Sequence, residues 1–156
     1  MQPINVAVIG SGFMGGAHVD GLRRIPGVNV VAIASIDRPR AEELAGAFRI
    51  PHVFEDWREI LKHPEITAVH NCTPNNLHYE VNRELILAGK HVLSEKPLTL
   101  TSEESADLVK LAKEKGVYTA INFNYRGYPI VQHAHGMVAR GELGKLHLVH
   151  GHYLQD

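Results

Sequence analysis

The feature that most constrains the fold is a regular alternation of apolar, strand-like runs with helix-like segments. Six β-rich runs are joined by segments with helical spacing, the first run at residues 4–9 and the last at 117–121. Connections of this length favour parallel pairing with right-handed crossovers. The sequence therefore predicts an α/β fold built on a doubly wound parallel sheet.

The element bounds follow from periodicity and from breaking residues such as Pro26, Gly89 and Gly116. We predict strands at residues 4–9, 28–34, 52–54, 67–72, 91–93 and 117–121. We predict helices at residues 14–24, 39–48, 56–61, 76–88 and 102–115. Asp56 is expected to cap its short helix, and Ser102 with Ser105 to form an approximate capping box.

The pattern changes after about residue 123. Residues 129–140 predict a further helix and residues 144–153 a long strand that has no later partner in the sequence. We therefore expect one domain over residues 1–122 and, over residues 123–156, the incomplete start of a second α/β domain.

Composition limits the classes of partner. The 156 residues are 44% hydrophobic and 21% charged, which is typical of a compact soluble domain, and the net charge of -1 gives no basic field to attract nucleic acid or anionic membrane. No stretch approaches the ~18 apolar residues of a membrane-spanning helix. The single cysteine, Cys72, excludes an intrachain disulfide and fits a reducing compartment, so cytoplasm is the default expectation. Small molecules or other proteins are the expected partners.

A glycine motif follows the first predicted strand and opens the first helix. Its residues are Gly10, Ser11, Gly12, Phe13, Met14 and Gly15. In this context Gly10 permits a tight turn, Gly12 lets the backbone approach a pyrophosphate, and Gly15 lets the helix pack on the strand. The helix amino terminus then attracts phosphate groups. The motif predicts a dinucleotide site; a purely structural glycine turn is the alternative.

The end of the second strand bears on the choice of cofactor. Ser35 occupies the position where an acid usually holds the adenosine ribose of NAD, so repulsion of a 2′-phosphate is weakened. Arg38 and Arg40 could attract that phosphate, whereas Asp37 could bind a ribose hydroxyl. The expected cofactor is NADP or NAD, with a slight preference for NADP. A solvated loop and helix cap is the alternative for this segment.

Two further loops place polar groups at the carboxyl ends of strands, where open α/β sheets bind ligands. After the fourth strand, Thr73 and Asn75 offer a hydroxyl and an amide, with Pro74 fixing the loop between them. After the fifth strand come Glu95 and Lys96, followed by Pro97.

The motifs GSGFMG, CTPNNLH, AGKHVLSEKPLTLT and NFNYR with a later GELG resemble those of the Gfo/Idh/MocA family of NAD(P)-dependent oxidoreductases. The resemblance extends along the whole chain in family order. It implies a Rossmann domain followed by a larger α/β domain whose open sheet binds substrate and commonly builds dimers or tetramers. It also implies oxidation or reduction at a hydroxyl-bearing carbon of a sugar, inositol or related polyol.

The resemblance implies roles for individual residues. Four would border the pyrophosphate and nicotinamide: Ser11, Gly12, Phe13 and Met14. Four would line the dinucleotide: Thr73, Pro74, Asn75 and His78. Glu95 would meet the nicotinamide ribose, and Lys96 would face substrate and cofactor, with a cis Lys96-Pro97 bond. Asn124 and Arg126 would lie beside the cofactor where the chain crosses between domains.

Lys96 is the expected catalytic residue. Hydride transfer from a carbinol requires that the hydroxyl proton be removed as the hydride leaves. A lysine beside the nicotinamide suits this task, as a proton acceptor or as an electrostatic clamp. The alternative is a surface ion pair between Lys96 and Glu95.

One departure from the family is large. The Asp and His that usually complete the proton transfer lie on a second-domain helix that this sequence does not contain. We therefore expect a fragment that binds the cofactor only, whose complete protein is the enzyme. A non-catalytic NAD(P)-binding sensor or partner module, and a folding domain that associates through its exposed last strand, are the alternatives. The eleven histidines lack the ligand set of a metal site, and no metal is expected.

Overall fold

A computed structural model describes residues 3–154. Its strands are β1 (Ile4–Ile9), β2 (Val28–Ala34), β3 (His52–Phe54), β4 (Ala68–Asn71), β5 (His91–Ser94) and β6 (Thr119–Ile121). The described strands form one six-stranded sheet in the order β3-β2-β1-β4-β5-β6, and every adjacent pair is parallel. The predicted doubly wound parallel sheet is thereby confirmed.

Helices connect the strands at nearly the predicted positions. They are α1 (Phe13–Arg23), α2 (Arg38–Phe48), α3 (His78–Leu87), α4 (Ser102–Lys115) and α5 (Pro129–Ala139). Short 3₁₀ helices lie at Trp57–Lys62, Asn75–Leu77 and Asn124–Gly127. The predicted ends are displaced by a residue or two, as is usual where helix ends fray.

The sheet is buried on both faces because successive side chains of a strand point to opposite sides. In β1, Val6 and Val8 belong to the apolar cluster that α1 and α2 cover. Ala7 and Ile9 belong to the opposite cluster, which α3 and α4 cover with Leu85, among others. This two-sided core holds the carboxyl ends of the central strands at one rigid edge.

Local capping follows the sequence, with one correction. Asp56 caps the 3₁₀ helix that follows it, since its side chain accepts the Arg58 N–H. The capping box of α4, however, is formed by Thr101 and Glu104, so the approximate box predicted for Ser102 and Ser105 is wrong. Thr101 has the extended backbone that an N-cap residue requires, whereas Ser102 is already helical.

The chain divides into two compact units, Met1–Asn122 and Phe123–Asp156. The first contains the sheet, and the second contains the last 3₁₀ helix and α5. The strand predicted at 144–153 is wrong, because described residues 144–154 carry no regular secondary structure. A strand is stable only when a partner accepts its backbone hydrogen bonds, and the described part of the second unit provides none.

Among the described residues, no helix combines the length and the hydrophobicity needed to span a membrane.

We expect Leu85→Ala to lower the free energy of unfolding by about 2–5 kcal/mol, because it empties a site that is completely buried between α3 and the sheet. Leu100→Ala is the matched control, since Leu100 is 64% exposed, and it should change stability little. Urea unfolding followed by circular dichroism measures both. Equal effects of the two substitutions would contradict the described core.

Candidate functional site

A pocket of about 550 Å³ opens at the carboxyl edge of the sheet, between the loops that follow β1, β2 and β4. Nine predicted site residues line it: Gly10, Ser11, Gly12, Phe13, Met14, Ser35, Asp37, Thr73 and Pro74. Arg40, which the sequence analysis offered as a partner for a 2′-phosphate, also lines it. Residues that sequence reasoning did not assign to the site complete the wall: Ile9, Ala34, Ile36, Glu55, Trp57, Cys72 and Leu77. The structure thus brings together three loops that are far apart in the sequence.

The three motif glycines serve different steric needs. Gly10 has φ +104°, and a Cβ there would lie 2.5 Å from the Cys72 carbonyl oxygen. A Cβ on Gly15 would overlap the Gly10 carbonyl oxygen, so this glycine lets α1 start tightly against the turn. A Cβ on Gly12 would meet nothing within 4 Å. Since Gly12 lines the pocket, its missing side chain leaves room for a ligand.

The amino terminus of α1 borders this pocket. Gly12 is its N-cap and supplies no side-chain hydrogen bond. The first N–H groups of a helix have no intrahelical acceptor, and the helix dipole adds positive potential there. Together with the open space at Gly12, this end of α1 can accept the oxygens of an anionic group.

The loop after β2 is held by Ser35. Its hydroxyl shares a 2.8 Å hydrogen bond with the Ser11 hydroxyl and accepts the Asp37 N–H at 3.2 Å. Asp37 lines the pocket and also caps α2 by accepting the Arg40 N–H. This end of the pocket presents hydroxyl and carboxylate oxygens to a ligand.

Arg38 and Arg40 differ in their availability. Arg38 donates to Glu42 at 2.7 Å and to Glu55 at 3.0 Å, and these hydrogen bonds raise the pKa of its guanidinium. It does not line the pocket, whereas Arg40 does. Of the two arginines that favoured NADP, therefore, only Arg40 is placed to meet a ligand in this pocket.

The loop after β4 is positioned by buried amides. The Asn71 side-chain oxygen accepts both the backbone N–H and the hydroxyl of Thr73, at 3.1 and 2.8 Å. Asn71 in turn donates to Asn82 on α3 at 2.8 Å. Thr73 and Pro74 are thereby held at the pocket wall. Asn75 begins the following 3₁₀ helix, is exposed, and lies outside the wall.

His78 joins two loops instead of lining the pocket. Its side chain is fully buried at the start of α3. One ring nitrogen lies 2.6 Å from the Pro97 carbonyl oxygen and the other 2.9 Å from the Thr73 carbonyl oxygen. Because a carbonyl oxygen only accepts, a protonated imidazole would donate to both. His78 thus ties the loop after β4 to the loop after β5.

Glu95, at the end of β5, is 6% exposed and surrounded by donors. Its Oε1 accepts from the Asn122 amide at 2.6 Å and lies 3.0 Å from His18 Nε2, and its Oε2 accepts the Lys96 N–H at 3.2 Å. Burial raises the pKa of Glu95, but the hydrogen bonds from Asn122, His18 and Lys96 outweigh it and hold that pKa below its usual value. The carboxylate is therefore ionised at neutral pH.

The Lys96 side chain is exposed and makes no ion pair with any residue between 3 and 154. The alternative, a surface ion pair between Lys96 and Glu95, does not form in this structure. The Glu95 carboxylate accepts a hydrogen bond from the backbone N–H of Lys96 and not from its ammonium group. The Lys96-Pro97 bond is cis, as expected. The exposed ammonium group therefore lies at the carboxyl edge of the sheet.

Three residues that contact one another around Glu95 were not predicted: His18, His70 and Asn122. Two weak signals pointed to them. His18 lies on the same face of α1 as the buried Leu22, and Asn122 directly follows β6 at the ligand-binding edge. The half-buried Cys72 has its pKa raised to about 12 by burial and by the charge of Glu95, so its thiol stays protonated.

Asn124 and Arg126 lie in the second unit, on its 3₁₀ helix. The Asn124 side-chain oxygen accepts the Tyr125 N–H at 3.0 Å, and the Arg126 carbonyl accepts from the Gln132 amide. Their predicted place beside a cofactor stays a prediction. Across residues 3–154 no cluster of histidine, cysteine or carboxylate side chains has the composition to hold a metal ion.

A family model described as "Oxidoreductase family, NAD-binding Rossmann fold" matches residues 4–123. The chain belongs to the Gfo/Idh/MocA oxidoreductase family. The match covers the sheet and every loop that lines the pocket, so the pocket lies in an NAD-binding domain of this family. The family and the fold predicted from the sequence are both confirmed.

Known Gfo/Idh/MocA proteins resemble this chain along most of its length. Levoglucosan dehydrogenase of Pseudarthrobacter phenanthrenivorans is 37% identical over 100% of this chain and 42% of its own. The scyllo-inositol 2-dehydrogenase (NADP(+)) IolW of Bacillus subtilis is 37% identical over 81% of this chain and 35% of its own. The solved structure of levoglucosan dehydrogenase in complex with NADH has a TM-score of 0.86 and 36% identity, over 92% of this chain and 41% of that chain.

These Gfo/Idh/MocA relatives are longer proteins, and the chain spans about two fifths of the length of the first of them. By name they act on a sugar derivative or an inositol, and they use NAD(H) or NADP. Both cofactors predicted from the sequence therefore occur among the relatives.

We expect Gly12→Ala and Gly15→Ala to separate binding from folding. The Gly12 methyl group meets no protein atom, so the variant should keep its melting temperature but bind NADH at least tenfold more weakly, since the methyl group fills ligand space. Gly15→Ala should lower the melting temperature, because its methyl group overlaps the Gly10 carbonyl. Thermal unfolding and NADH fluorescence measure the two effects. Unchanged NADH affinity in folded Gly12→Ala would contradict the placement of a ligand in the open space next to Gly12.

Proposed function

We propose that the protein is an NAD(P)-dependent oxidoreductase acting on a hydroxyl-bearing carbon of a sugar, inositol or related polyol, and that this chain supplies its cofactor site. One observation carries the proposal: the loops after β1, β2 and β4 converge on one pocket. The loop after β5, with Glu95 and Lys96, is tied to that pocket through His78. Members of the family that act on levoglucosan and scyllo-inositol support the substrate class.

The residues present fit a dinucleotide. The open space at Gly12 and the uncapped end of α1 suit a pyrophosphate. Ser35 and Asp37 offer oxygens to the hydroxyls of the adenosine ribose. The largely apolar wall, with Ile36 and Trp57, suits an adenine ring. Glu95, an ionised acceptor, is suited to the hydroxyls of the nicotinamide ribose.

Lys96 is the residue we assign to proton transfer. The bound nicotinamide supplies a hydride acceptor or donor. In the oxidation, Lys96 acts in its neutral amine form: its Nζ accepts the hydroxyl proton of the substrate and becomes an ammonium group as the hydride leaves the same carbon. In the reverse direction it returns that proton to the alkoxide oxygen. Glu95 contributes by holding the Lys96 backbone N–H, which sets where the side chain starts.

The charges at the adenosine end bear on cofactor preference. Arg40 favours a 2′-phosphate, while Asp37 and Glu55, which also line the pocket, disfavour it. Arg38, which supported NADP in the sequence, is engaged by Glu42 and Glu55. We therefore propose that the pocket accepts both cofactors and binds NADH at least as tightly as NADPH.

Residues 123–156 we assign to the beginning of a substrate-binding and oligomer-forming domain, in a protein that acts in the cytoplasm as a dimer or tetramer. The greater length of the relatives supports a further domain. A protein that binds NADH but turns over no polyol when complete would instead be a binding module.

We expect Lys96→Ala to lower kcat of the whole protein by about 10²- to 10⁴-fold, the range that a general acid or base contributes. Affinity for NADH should change little, since Lys96 does not line the pocket. Lys96→Arg keeps a charge but accepts no proton, so it distinguishes a proton acceptor from an electrostatic clamp. Lys113→Ala on the outer face of α4 is the control. Full activity of Lys96→Ala with a panel of polyols would exclude the assigned role.

We expect Glu55→Gln to raise the affinity for NADPH relative to NADH by about two- to fivefold, because it removes a negative charge from the pocket wall. Glu42→Gln is the matched control: Glu42 also binds Arg38 but does not line the pocket. Parallel fluorescence titrations with NADH and NADPH give the ratio for each variant. Equal changes in both variants would show that Arg38, not the pocket charge, controls preference.

A further inference from the structure

Four polar side chains from separate parts of the first unit meet beneath the carboxyl edge of the sheet. They are His18 on α1, His70 on β4, Glu95 at the end of β5 and Asn122 after β6, and we call them the His–Glu cluster. His18 is 9% exposed and Glu95 is 6% exposed. None of the roles described above uses His18 or His70, although burying such groups is costly unless each is hydrogen-bonded.

We infer that His18 is a positioning residue for Glu95, that the Glu95 carboxylate determines which ring nitrogen of His18 carries a proton, and that His70 is the donor to the other ring nitrogen. The inference rests on the proposed function in one respect: Glu95 is taken to face the nicotinamide half of the cofactor. The arrangement of protons within the cluster follows from the geometry alone.

The proton positions follow from donors and acceptors. An ionised carboxylate only accepts, so His18 Nε2, at 3.0 Å from Glu95 Oε1, must carry a proton. In the neutral ring His18 Nδ1 is then an acceptor. It lies 2.9 Å from His70 Nδ1, which must therefore be the donor. When both imidazole rings are neutral, His18 is therefore protonated at Nε2 and His70 at Nδ1.

His70 stays neutral in this arrangement. Burial, and then the proximity of His18, lower the pKa of His70 to about 4. A neutral imidazole carries one ring proton, and the contact with His18 Nδ1 places that proton on His70 Nδ1. His70 also lines an open depression of about 190 Å³ on the sheet.

The other titratable groups near His18 and His70 do not change which ring nitrogens carry protons. Glu95 faces His18 from β5, and His70 faces it from β4. Cys72, which senses the charge of Glu95, stays protonated. On α1 itself, Asp20 is exposed and bound to Arg24.

The consequence for Glu95 is a fixed orientation. Oε1 is held by His18 and Asn122, which leaves Oε2 to accept the Lys96 N–H. Loss of His18 would leave Oε1 with Asn122 alone, so the orientation of Glu95 and, through it, the position of the Lys96 backbone would be less fixed. The adenosine end, built around Gly12 and Ser35, has no member in the cluster. Removal of His18 should therefore weaken binding of the nicotinamide half alone.

The first test measures histidine tautomers in this 156-residue chain without cofactor. Long-range ¹⁵N–¹H spectra at neutral pH should show His18 with a proton on Nε2 and His70 as the neutral Nδ1–H tautomer. A neutral His18 protonated at Nδ1, or a neutral His70 protonated at Nε2 beside a neutral His18, would overturn the inference.

The second test compares NADH with ADP-ribose, which lacks the nicotinamide. His18→Leu should weaken NADH binding about tenfold or more while leaving ADP-ribose binding unchanged. His18→Gln keeps a donor near the Nε2 position, so it should stay within about threefold of the original NADH affinity. His52→Leu, on the exposed edge strand β3, is the control.

The outcomes separate the two proposals. If ADP-ribose and NADH both fail to bind the unaltered chain, the proposed function fails, and the tautomer spectra still decide the cluster. If His18→Leu weakens both ligands equally, His18 is only structural and the positioning role is wrong. If His18→Leu does not fold, His18→Gln and the spectra carry the test, and loss of NADH affinity in folded His18→Gln would refute it.

Discussion

The site depends on one close backbone approach, that of the Gly10 turn against the Cys72 carbonyl and of Gly15 against the Gly10 carbonyl. No side chain larger than hydrogen fits at either glycine. This approach sets the start of α1 directly above the central strands, with its free N–H groups toward the pocket. It also carries His18, one turn further along α1, to within hydrogen-bonding distance of His70 on β4. The same close backbone contacts therefore position both the pocket and the His–Glu cluster.

The carboxyl edge of the sheet has two regions that differ in charge. Around Gly12 the positive end of α1 and the open space favour an anion. The buried Glu95 carboxylate is stabilised by three donors, and the neighbouring Lys96 ammonium group has no ion-pair partner within the described part of the chain. His78 links the two regions, because its two ring nitrogens lie within hydrogen-bonding distance of the carbonyl oxygens of Thr73 and Pro97. This arrangement suits a ligand with a charged middle and a reactive end.

Much of the first unit could be predicted from the sequence because its signals are local. Apolar runs and glycine or proline breaks depend on near neighbours, and β1 and β2 have their predicted bounds. Predictions failed where a distant partner decides. Residues 144–153 have strand-like composition but no described strand to pair with. Distant partners also set the surroundings of two predicted site residues. Arg38 binds Glu55, seventeen residues further along, and His78 is buried between two carbonyls. Their roles at a cofactor stay predictions.

The sequence by itself determined the parallel α/β architecture, the glycine turn with its three distinct steric roles, and the edge of the sheet where the polar loops end. Each of these follows from residue spacing and from conformations that only certain residues adopt. Only the tertiary structure decided which polar groups meet. His18, His70, Glu95 and Asn122 are separated by up to 104 residues, yet they form one hydrogen-bonded cluster. Such contacts depend on strand order and on burial, because the cost of an unpaired buried group is what selects its partner.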